Sequence, residues 1–79
     1  MKKMFNGCSS LTSLNLSNFN TNNVKDMRVM FNGCSSLTSL NLSNFNTNNV
    51  NNMYCMFDGV NIEKCKLICE DVKILKEFS

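Results

Sequence analysis

The chain has 79 residues, 43% of them hydrophobic, with no Trp or Pro and a formal charge of +2 from eight basic and six acidic side chains. That length holds one domain at most, burying only a little over ~60% of the surface its unfolded form exposes. With no Lys or Arg cluster beyond Lys2-Lys3, no run of ~18 apolar residues and no apolar leader, nucleic-acid binding, membrane insertion and export of this chain by a signal peptide are not encoded.

Residues Met4 to Val24 recur letter for letter as Met30 to Val50, a period of 26 residues. A fixed period in this range marks units that bury their apolar positions only by stacking on a neighbour. The MxxMF element appears three times at that spacing, as Met1 to Phe5, Met27 to Phe31 and Met53 to Phe57. Met1 thus sits in register at an interior-type position. Two origins are compatible with this: the C-terminal piece of a longer array, or a true start shaped by ordinary duplication.

Within the first unit, Leu11, Leu14, Leu16 and Phe19 follow LxxLxLxxF spacing, and Leu14 and Leu16 alternate with polar partners. A period of two predicts a strand over Leu11 to Ser17 with one buried face, and its copy over Leu37 to Ser43. From Val24 the spacing changes to steps of three, three and one through Met27, Met30 and Phe31, which predicts a short amphipathic helix. Thr21, Asn22 and Asn23 precede it as capping candidates, and Gly33 follows where a left-handed residue ends a helix. The second copy has Thr47, Asn48 and Asn49, then Val50, Met53, Met56, Phe57 and Gly59. Most of the 15 asparagines fall in turns, where Asn tolerates unusual backbone angles and bonds neighbouring amides, and equal residues one layer apart are positioned to form ladders.

A strand-helix-strand order with parallel neighbours requires a right-handed crossover. The expected architecture is an α/β solenoid, leucine-rich-repeat-like, with 26-residue strand-plus-short-helix units and a parallel sheet on one face. Residues 1–59 supply two full repeats with partial flanking units. Residues 60–79 carry eight of the fourteen charges and form a C-terminal capping unit. There, Ile62, Cys65 and Leu67 repeat the LxxLxL spacing, predicting a third strand over Lys64 to Cys69 beside Leu37 to Ser43. Val72, Ile74, Leu75 and Phe78 follow at helical spacing after Glu70-Asp71 as its cap. The opposite end has no such unit, which predicts self-association through it or poor folding of the isolated chain.

The run GCSSLTSLNLSNFNTNNVKDMRVMF, with its LSNF, NV and MxxMF elements, resembles the BspA-type leucine-rich repeats of bacterial and protist surface proteins over about residues 1–59. The resemblance implies a repeat solenoid in surface-exposed adhesion or interaction molecules, at the cell surface or secreted. It names no partner.

Chemistry is sparsely supplied. The absence of His removes the commonest general base and every Ser-His or Cys-His nucleophile arrangement, so no enzymatic activity and no cofactor are expected. Asp26 and Asp58 are read as surface groups, and Glu63, Glu70, Asp71 and Glu77 as solvated or capping residues. Cys55, Cys65 and Cys69 lack the paired CxxC knuckle and fourth ligand of a zinc site. Cys8 and Cys34, one layer apart, are read as buried thiols rather than a disulfide, because their Cβ vectors run parallel. The triplets Asn15-Leu16-Ser17 and Asn41-Leu42-Ser43 fit glycosylation acceptors, but lie on predicted strands of an Asn- and Ser-rich repeat where chance explains them.

Two functions remain. In the first, the exposed strand face, with Thr12, Asn15, Ser17, Thr38, Asn41 and Ser43 continued by Lys64 and Lys66, meets a protein or glycan partner. In the second, the units are a structural spacer or cap in a longer array, as the uniform repeat suggests. Only Lys25, Asp26 and Arg28 against Asn51, Asn52 and Tyr54 differ between the repeats on the surface, all on the side away from the strands.

Overall fold

A computed structural model describes residues 4–78; Met1, Lys2 and Lys3 of the first MxxMF element and Ser79 of the terminal unit lie outside the described residues. The elements are three short strands, β1 (Ser13–Asn15), β2 (Ser39–Asn41) and β3 (Lys66–Ile68), followed by a helix, α1 (Val72–Phe78). The strands form one parallel sheet in the order β1-β2-β3. Leu14 lies opposite Leu40, the displacement of 26 residues that the repeat dictates.

The strands are shorter than the spacing predicts because the chain turns on both sides of each Ser-Leu-Asn core. Asn15 Oδ1 accepts from Ser17 N–H at 2.9 Å, and Asn41 Oδ1 from Ser43 N–H at 3.0 Å. These side-chain turns end each strand by capturing an amide the ladder would otherwise use. The same i to i+2 device recurs at Asn20, Asn46, Asn52 and Asn61. Asn–Asn side-chain ladders do not appear among the described residues. Instead, Asn44 Nδ2 donates to Ser17 O, and Asn49 Nδ2 to Asn22 O at 2.6 Å, each reaching the backbone of the layer before it.

The helices expected over Val24 to Phe31 and Val50 to Phe57 are absent; both segments are runs of turns. Their amides alternate between two kinds of partner. Met27, Val29, Phe31 and Gly33 donate to Asn52, Tyr54, Met56 and Asp58 carbonyls of the next layer at 2.8–2.9 Å. Between them, Met30, Asn32 and Cys34 donate to Met27, Val29 and Phe31, three residues back, at 3.4, 3.3 and 3.1 Å. A helix would send every amide four residues back along its own segment. Val29 (φ +49°) and Cys55 (φ +53°) adopt the left-handed region, which interrupts any right-handed helix at its midpoint. Consecutive turns also bring Met27, Met30 and Phe31 inward, so they produce the three, three, one spacing without a helix.

The capping candidates accordingly have another role. Thr21, buried, donates its hydroxyl to Asn46 O at 3.1 Å and accepts from Asn46 N–H at 2.8 Å. It ties one layer to the next rather than starting a helix. Gly33 (φ +79°) and Gly59 (φ +89°) do take the left-handed conformation, but in these turns.

β3 pairs in a different register from the one its spacing predicts. The LxxLxL match sets Cys65 opposite Leu40, whereas Leu67 occupies that place, 27 residues on. A turn at 61–64, in which Asn61 O accepts from Lys64 and Cys65 N–H at 3.1 and 2.9 Å, takes up the extra length. A slip of two residues keeps the same side chains facing inward, so hydrophobic alternation cannot distinguish the two registers.

The core lies between the sheet and the turns and is centred on the second layer. Phe31 is sandwiched between Phe5 and Phe57, with ring centroids 5.7 and 5.5 Å away and nearly parallel planes. Phe78 of α1 meets Phe57 edge-on at 5.0 Å, and Ile74 is fully buried beside them. α1 thus closes the apolar stack at the C-terminal end.

Candidate functional site

The exposed surface of the sheet is set by alternation about Leu14, Leu40 and Leu67, which point inward. Their neighbours point out. Ser13, Ser39 and Lys66 form one cross-strand row, and Asn15, Asn41 and Ile68 the next. The face is therefore polar over β1 and β2, gains a cation at Lys66, and ends on an apolar side chain, Ile68, that is 44% exposed.

The residues read from the sequence divide over three places. Asn15, Asn41 and Lys66 lie within the strands and share the face. Thr12 and Thr38 come just before β1 and β2; both are exposed, and Thr38 donates its hydroxyl and its amide to Thr12 O at 3.0 and 2.8 Å. Ser17 and Ser43 follow the strands in the Asn-closed turns and are half-buried. Lys64 is exposed but belongs to the turn before β3, with its amide bonded to Asn61.

Ser13, Ser39 and Ile68 are the face residues that the pattern reading misses. The signal for the two serines is present, since a strict period of two about Leu14 points 13 and 15 outward together. Ile68 is hidden by the two-residue register shift, which moves Lys66 from the Asn41 row to the Ser39 row.

Other groups offer little convergence. An open pocket of about 410 Å³ lies at the C-terminal end, lined by residues that include Cys55, Phe57, Ile62, Glu77 and Phe78. Among the described residues, no three His, Cys, Asp or Glu side chains group as a metal site, and no helix is long and apolar enough to cross a membrane. The five cysteines are free thiols. Burial pushes the Cys34 thiol up, aided by nearby Cys8 and partly offset by a hydrogen bond from the Cys8 backbone; burial does the same to Cys65. Both remain protonated and unreactive. On the side away from the strands, Arg28 pairs with Asp26 at 2.9 Å, where the second repeat has Tyr54 and Asn52.

Comparison with known proteins agrees with the layered repeat. No curated protein and no solved structure matches the chain. The model of one family does match, over residues 1–68, which span both repeats, the MxxMF elements and β3. The chain therefore belongs to the family described as "Mycoplasma protein of unknown function, DUF285".

Proposed function

We propose that this chain is a non-enzymatic interaction or adhesion module of a leucine-rich-repeat surface protein, its three layers being part of a solenoid. It binds a protein or glycan partner through the exposed sheet face. The observation that carries this reading is the row of outward side chains, Ser13-Ser39-Lys66 beside Asn15-Asn41-Ile68, held in register by parallel pairing. Hydroxyl, amide and ammonium groups at one strand spacing, ~4.8 Å, suit the hydroxyl-rich surface of a glycan or a polar protein edge. Membership in the family and the resemblance of the repeats to BspA-type units support the same class.

The competing reading is a spacer or capping segment without a site of its own. It is favoured by the asparagines, because the side-chain oxygens of Asn15 and Asn41 are already engaged by Ser17 and Ser43. Only their amide NH₂ groups face outward for a ligand.

The two are separated by surface plasmon resonance of the full chain over immobilised extracellular glycoproteins, intact and deglycosylated. The module reading expects saturable binding that weakens roughly tenfold or more in Ser39→Glu and Lys66→Glu, a loss of ~1.4 kcal/mol or more, while Arg28→Ala on the other side binds as the parent. Absence of saturable binding, or equal loss in all three variants, supports the spacer.

A further inference from the structure

Identical residues occupy unequal environments in the first two layers. Leu37, Leu40, Phe45 and Val50 are buried, whereas their copies Leu11, Leu14, Phe19 and Val24 are only half-buried. The difference lies on the outer side of the first layer, where no described strand pairs with β1 and no ring covers the far face of Phe5. That side also repeats the polar groups used between layers. Thr38 and Asn49 each reach back to a carbonyl of the layer before, while their copies Thr12 and Asn23 are exposed without a side-chain partner among the described residues.

The two ends of the stack differ in how they treat association. β3 carries Lys66 on its exposed edge strand, and α1 seals the apolar stack below it through Ile74 and Phe78. Charged side chains on an edge are the usual defence against pairing with another chain. β1 has none, and residues 4–24 contain no charged side chain at all.

We infer that a second copy of this chain docks on the first layer head to head, edge β1 against edge β1, forming a closed two-fold dimer. Only one end is open, so the contact is self-complementary and cannot propagate into a filament. The dimer covers Leu11, Leu14, Phe19 and Val24 as the second layer covers its own copies. This surface is separate from the sheet face proposed for binding and leaves that face exposed in both copies.

Sedimentation equilibrium of the full chain under reducing conditions tests it, with far-UV circular dichroism of every variant. A reversible dimer is expected, its dissociation constant rising at least about tenfold in Leu14→Lys, equivalent to ~1.4 kcal/mol. Thr12→Lys, at an exposed position on the same edge, is expected to weaken it likewise with an unchanged spectrum, which keeps the test valid if Leu14→Lys unfolds. Ile68→Lys, at the other edge, is expected to leave the dimer intact. A monomer at all concentrations, open-ended association, or dissociation by Ile68→Lys but not by Thr12→Lys would overturn the inference.

Discussion

Asp71 takes the place beneath Thr47 that Thr47 itself takes beneath Thr21. Its carboxylate accepts from the Thr47 hydroxyl at 2.7 and 2.8 Å and from the Thr47 amide at 2.8 Å. Asp71 Oδ1 also accepts from Lys73 and Ile74 N–H at 3.0 and 3.2 Å, capping the first turn of α1. One side chain therefore starts the closing helix and fastens it to the last complete layer.

Asp71→Ala removes the cap and leaves the buried Thr47 donors unpaired. A lost N-cap costs ~0.5–2 kcal/mol, and an unsatisfied buried donor a further ~1–3 kcal/mol. A chain of this size has a total stability of only ~4–12 kcal/mol. The expected result in urea denaturation is a large drop in midpoint, with Asp71→Asn intermediate because an amide oxygen still caps.

The same carboxylate gives the fold a pH dependence. Burial alone would push its pKa up, but hydrogen bonds from Thr47, then Ile74 and Lys73, outweigh it and hold the group below its ordinary 3.8. A depressed carboxylate contributes stability that is present above the unfolded value and disappears as pH falls through the folded one. Denaturation midpoints are therefore expected to fall as pH drops below about 4. Asp71→Asn is expected to flatten that fall, and an unchanged slope in the variant would show that other groups carry it.

Glycines of the turn column differ in tolerance. A Cβ on Gly59 would lie 3.0 Å from Gly33 N and 3.1 Å from Gly33 Cα, backbone atoms that cannot swing aside, and φ is +89°. At Gly7, φ is +79° with nothing within 4 Å. Gly7→Ala is expected to cost about 1 kcal/mol of backbone strain, within the ~1–3 kcal/mol of a left-handed non-glycine residue. Gly59→Ala adds a clash between layers and is expected to cost clearly more, read as a greater loss of thermal midpoint.

How much of this was legible in the sequence depends on the physical signal behind each feature. The stacking of Phe5, Phe31 and Phe57 and the pairing of Leu14 with Leu40 follow from an exact repeat, which fixes equivalent places one layer apart. The segments from Val24 and Val50 misread as helices because apolar spacing reports only which residues face inward, and consecutive turns bring Met27, Met30 and Phe31 to the core as a helix would. What decides between them is a neighbouring layer whose carbonyls capture the Val29 and Phe31 amides, and a single unit does not reveal that competition. On the candidate face, alternation about Leu14 already pointed to Ser13 and Ser39. The place of Lys66 depended on a two-residue register to which the hydrophobic pattern is blind.

The central claim is that the units bond to one another layer by layer, without helices of their own. Backbone carbon chemical shifts and amide exchange, measured by NMR on the labelled chain, test it most directly. The account predicts non-helical shifts through 24–31 and 50–57, left-handed shifts at Val29 and Cys55, and slow exchange at the Val29 and Phe31 amides that donate across layers. Continuous helical shifts over both segments, with Val29 and Cys55 included, would contradict it.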